Sequence, residues 1–148
     1  MTGPAPATTI AVMLHKDAKV ELLRKVPLFE LCSKRELREI ATIADELPLP
    51  AGKRLAVEGA AGHEFMVVVE GTAEVRRAGR KVNLLGNGDF LGEIALITGR
   101  KRTASVTTLE PTRILVIHER DFRRLMRDVP SIQPKVMQAL AARLDSDD

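Results

Sequence analysis

Nine of the chain's ten glycines fall between Gly52 and Gly99, and no stretch between two of them exceeds eight residues. A helix of ordinary length does not survive that punctuation, whereas short strands joined by tight turns require it. Within this region "FMVVVEGTAEVRRAGRKVNLL" reads as three consecutive strands. Thr72-Ala73-Glu74-Val75-Arg76 alternates polar and apolar residues, and Glu70-Gly71 and Ala78-Gly79 mark the turns. Two more strands, "SVTTL" and "RILVIH", are separated by Glu110-Pro111, and shorter pieces lie near Leu47 and Leu55. The total of roughly seven or eight strands suits a barrel or a double-sheet jelly roll.

Helical signals flank this region on both sides. Val20, Leu22, Leu23 and Val26 recur at helical spacing before Pro27, and Ser33-Lys34-Arg35-Glu36 is a Ser-x-x-Glu capping box leading into Leu37, Ile40, Ala41 and Ala44. After the last strand, "ERDFRRLMRDV" places Phe122, Leu125, Met126 and Val129 on one side. Pro130 ends that run, and Val136, Leu140 and Leu144 form a further stripe. The expected architecture is α+β: a double-stranded β-helix, or jelly-roll β-barrel, flanked by N-terminal and C-terminal helices. Residues 1–15 read as a tail and 16–148 as a single domain, with helices over 16–44, the β-roll over 45–118 and two helices over 119–145. One domain is what 148 residues with 45% apolar content can fill.

The stretch "GDFLGEIALITGRKRTASV", Gly88 to Val106, carries the chemistry. A strand ending near Leu85 meets two glycines, and "FLGEIAL" then suits one turn of helix, whose first backbone N–H groups make a seat for an anion. Gly92 lets a ligand approach the backbone with no Cβ in the way. Arg102 adds a fork of donors matched to phosphate oxygens. A carboxylate beside a phosphate repels it, so Glu93 makes sense facing a hydroxyl donor such as a ribose. One acid and one base across a small pocket describe a nucleotide with a single phosphate charge.

These residues carry a resemblance. The stretch resembles the phosphate-binding cassette of the cyclic nucleotide-binding domain family, the module shared by the catabolite activator protein and the regulatory subunit of protein kinase A. The likeness runs from about Lys19 to Leu144. It takes in "VPLFELCSKRELREIA" as the leading helices, "VVVEGTAEV" as the glycine-turn strands and "LEPTRILVIHERDFRRLM" as the last strand feeding a hinge helix. The resemblance implies that Glu93 accepts the ribose 2′-hydroxyl and Arg102 holds the equatorial oxygen of the cyclic phosphate. It further implies that the amides of Gly92, Ala95, Thr103 and Ala104 complete the anion seat, with Ile94 packed beneath. In this family a hydroxyl at the position of Thr103 also touches a guanine amino group, which leaves cAMP and cGMP both open, with cAMP favoured. Leu91 stands where the family often has Phe. The final helix offers no aromatic to stack on the purine, so Met137, Leu140 or Leu144 is expected to cap the base.

Other chemistries find little support. His15, His63 and His118 share no short motif, so no metal site is expected, and no serine sits in a nucleophile context. No catalytic residue and no catalytic cofactor is expected. The single Cys32 reads as a small core filler, and the longest early apolar run, Ile10 to Leu14, is too short for a signal peptide or a membrane span, which points to a cytoplasmic protein. A net charge of +3 invites a nucleic-acid partner, but acids interleave the bases of "HERDFRRLMRD" and no Trp or Tyr occurs, so a solvated helix face is the better reading. The expected function is a non-catalytic cyclic-nucleotide receptor that signals through closure of its C-terminal helices. Its downstream route stays open among a homodimer, docking on another protein and buffering of the nucleotide. Two rivals share the fold. One is the effector half of a catabolite-activator-type transcription regulator, whose helix-turn-helix is missing before Asp148; the other is an interaction module without a ligand.

Overall fold

The computed structural model describes residues 15–146, and for residues 94, 95 and 143–146 the backbone alone. The expected tail therefore lies outside the described residues as far as Leu14. Helix α1 (Lys16–Arg24), a 3-10 turn (Pro27–Phe29) and helix α2 (Lys34–Ala41) open the domain. Pro27 ends the first helical run and starts the 3-10 turn, where its missing N–H is no loss. The capping box of α2 is complete: Glu36 N–H donates to Ser33 Oγ at 3.1 Å, and Ser33 N–H donates to the Glu36 carboxylate at 2.7 Å. Helix α2 ends at Ala41 rather than running on through Ala44. Ala44, buried and paired with Ile117, already belongs to the first strand.

Eight strands follow: β1 (Ala44–Leu49), β2 (Arg54–Ala56), β3 (Glu64–Glu70), β4 (Ala73–Arg77), β5 (Arg80–Leu85), β6 (Phe90–Leu91), β7 (Ser105–Thr108) and β8 (Thr112–His118). They form two four-stranded antiparallel sheets, in the orders β1-β8-β3-β6 and β2-β7-β4-β5, the jelly-roll arrangement. Between β4 and β5, Ala78 (φ 53) and Gly79 (φ 78) both take the left-handed conformation of a two-residue hairpin turn. The continuous apolar runs of β3 and β8 have a simple cause. Phe65 and Val67 with Leu115 and Ile117 face a helical layer, while Met66 and Val68 with Ile114 and Val116 face the space between the sheets, so both faces are buried.

The helical layer draws on both ends of the chain. Helix α3 (Glu93–Thr98) lies between β6 and β7, and α4 (Glu119–Asp128) and α5 (Ile132–Ser146) follow β8. Val20, Leu23, Leu28, Ile40, Leu125, Ile132, Val136 and Leu140 join the Phe65 face of the sheet in one core. Phe29 is its hub. Its ring meets Phe65 edge-on at 5.9 Å and Phe122 at 5.7 Å, pairs that add about 0.5–1.5 kcal/mol each beyond their burial. Three of the four phenylalanines are thus spent on the core, while half-buried Phe90 packs 6.1 Å from Phe65 and lines a cavity. Cys32 also packs against this core, and burial pushes its thiol up to about 11, so it is an inert filler.

Candidate functional site

Gly92 sits between β6 and α3 at φ +84, a conformation that side chains with a Cβ rarely adopt. Its space is as constrained as its backbone. A Cβ there would lie 2.3 Å from Arg102 Nη1 and 2.6 Å from the Glu64 carbonyl oxygen. On the other side, a Cβ on Gly62 would lie 2.2 Å from Arg102 Nε. The Arg102 guanidinium is therefore clasped between two glycines, and it is only 8% exposed. Nη2 donates to the Glu64 carbonyl at 2.7 Å and stands 3.7 Å from the Glu64 carboxylate. The backbone of Arg102 is fixed as well, since its N–H donates to Ala60 O and its carbonyl accepts from Gly59 N–H, both at 2.8 Å. Burial draws the guanidinium's pKa below its ordinary value and the Glu64 carboxylate opposes that shift. An arginine so placed stays cationic.

Glu93, the first residue of α3, is 3% exposed, and its Oε2 accepts from Leu28 N–H at 3.1 Å. The acid thus touches the 3-10 turn of the N-terminal helices while it lines the same cavity as Arg102. That cavity measures about 360 Å³, within the range of small-molecule sites. Its wall includes Gly92, Glu93, Arg102, Thr103 and Ala104, so five of the residues singled out in the sequence come together. The backbone of residues 94 and 95 forms the first turn of α3, where N–H groups have no intrahelical acceptor; the side chains of Ile94 and Ala95 lie outside the described residues.

Three further cations line the cavity: Arg77, Arg100 and Lys101. Against them stands one acid, Glu93, so the field inside favours an anion. Arg77 Nε donates to Thr103 O at 3.1 Å, which braces the segment after Arg102 from the neighbouring strand β4. Asn83 of β5 also reaches the wall. Gly62, Glu64, Arg77 and Asn83 lie outside the stretch Gly88–Val106, and no motif in the sequence marks them.

Two of the three expected base-capping residues stand away from the cavity. Leu140 is 6% exposed within the helical core and Met137 is 44% exposed; neither lines the cavity, and the Leu144 side chain lies outside the described residues. Helix α5 packs on the 3-10 turn. A polar clamp fixes its start: Lys135 Nζ donates to Glu36 Oε1 at 2.6 Å and Ser131 Oγ to Glu36 Oε2 at 2.5 Å. Burial alone would raise the Glu36 carboxyl, but the hydrogen bonds from Lys135, Ser131 and Ser33 outweigh it and hold the pKa at about 2. The sequence disclosed Glu36 as a cap, and the structure makes it the tie between α2 and α5. Among the described residues no cluster of His, Cys, Asp and Glu has the makings of a metal site, and no helix is long and apolar enough to cross a membrane.

The family model of the cyclic nucleotide-binding domain matches residues 46–129, more than half of the chain. This chain belongs to the cyclic nucleotide-binding domain family. It is 33% identical over 121 residues to a cAMP-dependent protein kinase regulatory subunit of Mycosarcoma maydis, a match covering 76% of this chain and 23% of the relative. It is 31% identical over 123 residues to a cyclic nucleotide-gated potassium channel of Rhizobium etli, covering 83% of this chain and 34% of the channel. The chain therefore spans about a quarter to a third of the length of these relatives. Among solved structures, the N-terminal domain of a transcriptional regulator from Streptomyces coelicolor A3(2) superposes with a TM-score of 0.77 at 27% identity, covering 85% of this chain and 91% of that one.

Proposed function

We propose that this domain is a non-catalytic receptor for cAMP, with cGMP the weaker ligand, and that it signals through its C-terminal helices. The observation that carries the reading is the meeting of buried Arg102, buried Glu93 and the start of α3 in one cationic cavity. In this reading the cyclic phosphate takes the Arg102 guanidinium and the backbone amides at the start of α3. Glu93 accepts the ribose 2′-hydroxyl, and Thr103 and Ala104 supply the remaining N–H groups. The preference for cAMP is supported by the likeness to a cAMP-dependent kinase regulatory subunit. Because Glu93 also holds Leu28 N–H, a ligand that engages this carboxylate bears directly on the 3-10 turn against which α5 packs. Occupancy of the cavity thereby shifts α4 and α5 toward a closed arrangement over the base. The domain passes this change to a downstream protein or to a second copy of itself.

A second output is favoured by one observation, the superposition on the N-terminal domain of a transcriptional regulator. There the same nucleotide site would govern a DNA-binding partner or domain. Calorimetry with cAMP and cGMP on wild type and Arg102→Ala tests the shared core of both readings. Loss of a charge-assisted contact worth about 1.5–3 kcal/mol weakens cAMP at least about tenfold. Equal affinities for wild type and variant, or no heat with either nucleotide, would overturn it.

A further inference from the structure

A second cavity, of about 520 Å³, has Glu64 in its wall and lies between the start of β3 and helix α4. Its wall is dominated by one face of that helix. Arg120, Arg123 and Arg127 follow one another at intervals of three and four residues, and all three are exposed. The acids in the groove are already engaged. Glu119 accepts from Arg123 at 2.6 Å and from His63 Nδ1 at 3.0 Å, and the Glu64 carboxylate faces Arg102. Among the described residues Arg120 and Arg127 have no carboxylate partner, so the groove carries a net positive charge.

We propose that this groove docks an acidic peptide segment of a partner protein, with Arg120 and Arg127 each gripping one of its carboxylates. The two arginines stand two helical turns apart, about 10.5 Å along the axis. One small anion cannot bridge that distance, whereas acids four residues apart in an extended chain stand on one face about 13 Å from each other, within reach of the two long side chains. A run of five or more acids therefore reaches both. A nucleic acid fits less well, because every phenylalanine ring is buried or half-buried and none stands in the groove to stack on a base.

Glu64 also links the groove to the nucleotide site. A phosphate that takes Arg102 removes the cation facing the Glu64 carboxylate and so adds effective negative charge to the groove. Nucleotide and acidic segment then oppose each other, and the coupling is reciprocal. This linkage, unlike the groove itself, rests on the proposed nucleotide reading.

Fluorescence anisotropy of a labelled octaglutamate peptide with the full chain tests the proposal, with an oligothymidylate and phosphatidylserine vesicles as competing probes. Saturable peptide binding is expected, weakened at least about tenfold in the double variant Arg120→Glu, Arg127→Glu. Saturating cAMP is expected to weaken the peptide about threefold or more in wild type and to leave it unchanged in Glu64→Gln. Peptide binding unmoved by charge reversal, tighter binding of the oligothymidylate or the vesicles through these arginines, or cAMP binding with no change in peptide affinity would each overturn the proposal. If calorimetry shows no cAMP binding at all, the nucleotide reading fails, and charge reversal still decides the groove.

Discussion

Replacing Gly62 by Ala separates the role of the clasp around Arg102 from any change in backbone freedom. Gly62 does not take a positive φ, so alanine is allowed there, yet its Cβ would lie 2.2 Å from Arg102 Nε and 2.5 Å from Cζ. The guanidinium has to move by more than an ångström, because carbon and nitrogen in ordinary contact stand about 3.5 Å apart. Two costs follow. Overpacking of this kind destabilises by about 1–3 kcal/mol, and the 2.7 Å hydrogen bond to the Glu64 carbonyl is lost or stretched. In the ligand complex the displaced guanidinium no longer meets the phosphate, which removes a charge-assisted bond worth about 1.5–3 kcal/mol, or about tenfold to a hundredfold in affinity. Gly86 supplies the control, since it too avoids positive φ and a Cβ there meets nothing within 4 Å. Gly86→Ala is expected to stay within about 0.5 kcal/mol of wild type in urea unfolding and to bind cAMP normally. A Gly62→Ala protein with wild-type urea midpoint and cAMP affinity within twofold of wild type would refute the reasoning.

Glu36→Gln removes a carboxylate held at about 2 against an ordinary 4.5, a difference worth about 3 kcal/mol at neutral pH and a fall of about 6–12 °C in melting temperature. Because the folded-state pKa is depressed, this stabilisation is complete above about pH 4.5 and fades as pH drops toward 2, so the gap in urea midpoint between wild type and variant narrows over that window; a gap that is constant with pH would contradict the assigned cause. For the ribose contact, 2′-deoxy-cAMP is expected to bind wild type at least about tenfold more weakly than cAMP, and that penalty is expected to shrink in Glu93→Gln. Calorimetric titrations of the two ligands on the two proteins complete the cycle, and an undiminished penalty in the variant would assign the hydroxyl to another residue.

The parts of the site that were legible in the sequence are those encoded locally. Gly92, Glu93 and Arg102 through Ala104 sit in one stretch whose turn, helix start and base follow each other at short range, and the structure lines one cavity with them. The Ser33–Glu36 cap and the Ala78-Gly79 turn are local signals of the same kind. What stayed hidden depends on register between distant strands. Glu64 reaches Arg102 across 38 residues, and Arg77 reaches Thr103 across 26, because β3 and β4 run past the cavity. Helix α5 shows a different limit. Its apolar stripe discloses that one face is buried, but Val136 and Leu140 are equally suited to a nucleotide base and to the 3-10 turn, and here the Glu36 clamp sets them on the core. Ala44 fits a helical stripe and a strand alike, and its pairing with Ile117 decided for the strand.

The most direct measurement is a crystal structure of the protein grown with cAMP. It should place the cyclic phosphate within about 3 Å of the Arg102 guanidinium and the first amides of α3, with the 2′-hydroxyl on Glu93. A nucleotide bound outside this cavity, or one inside it whose phosphate makes no contact with Arg102, would contradict the account.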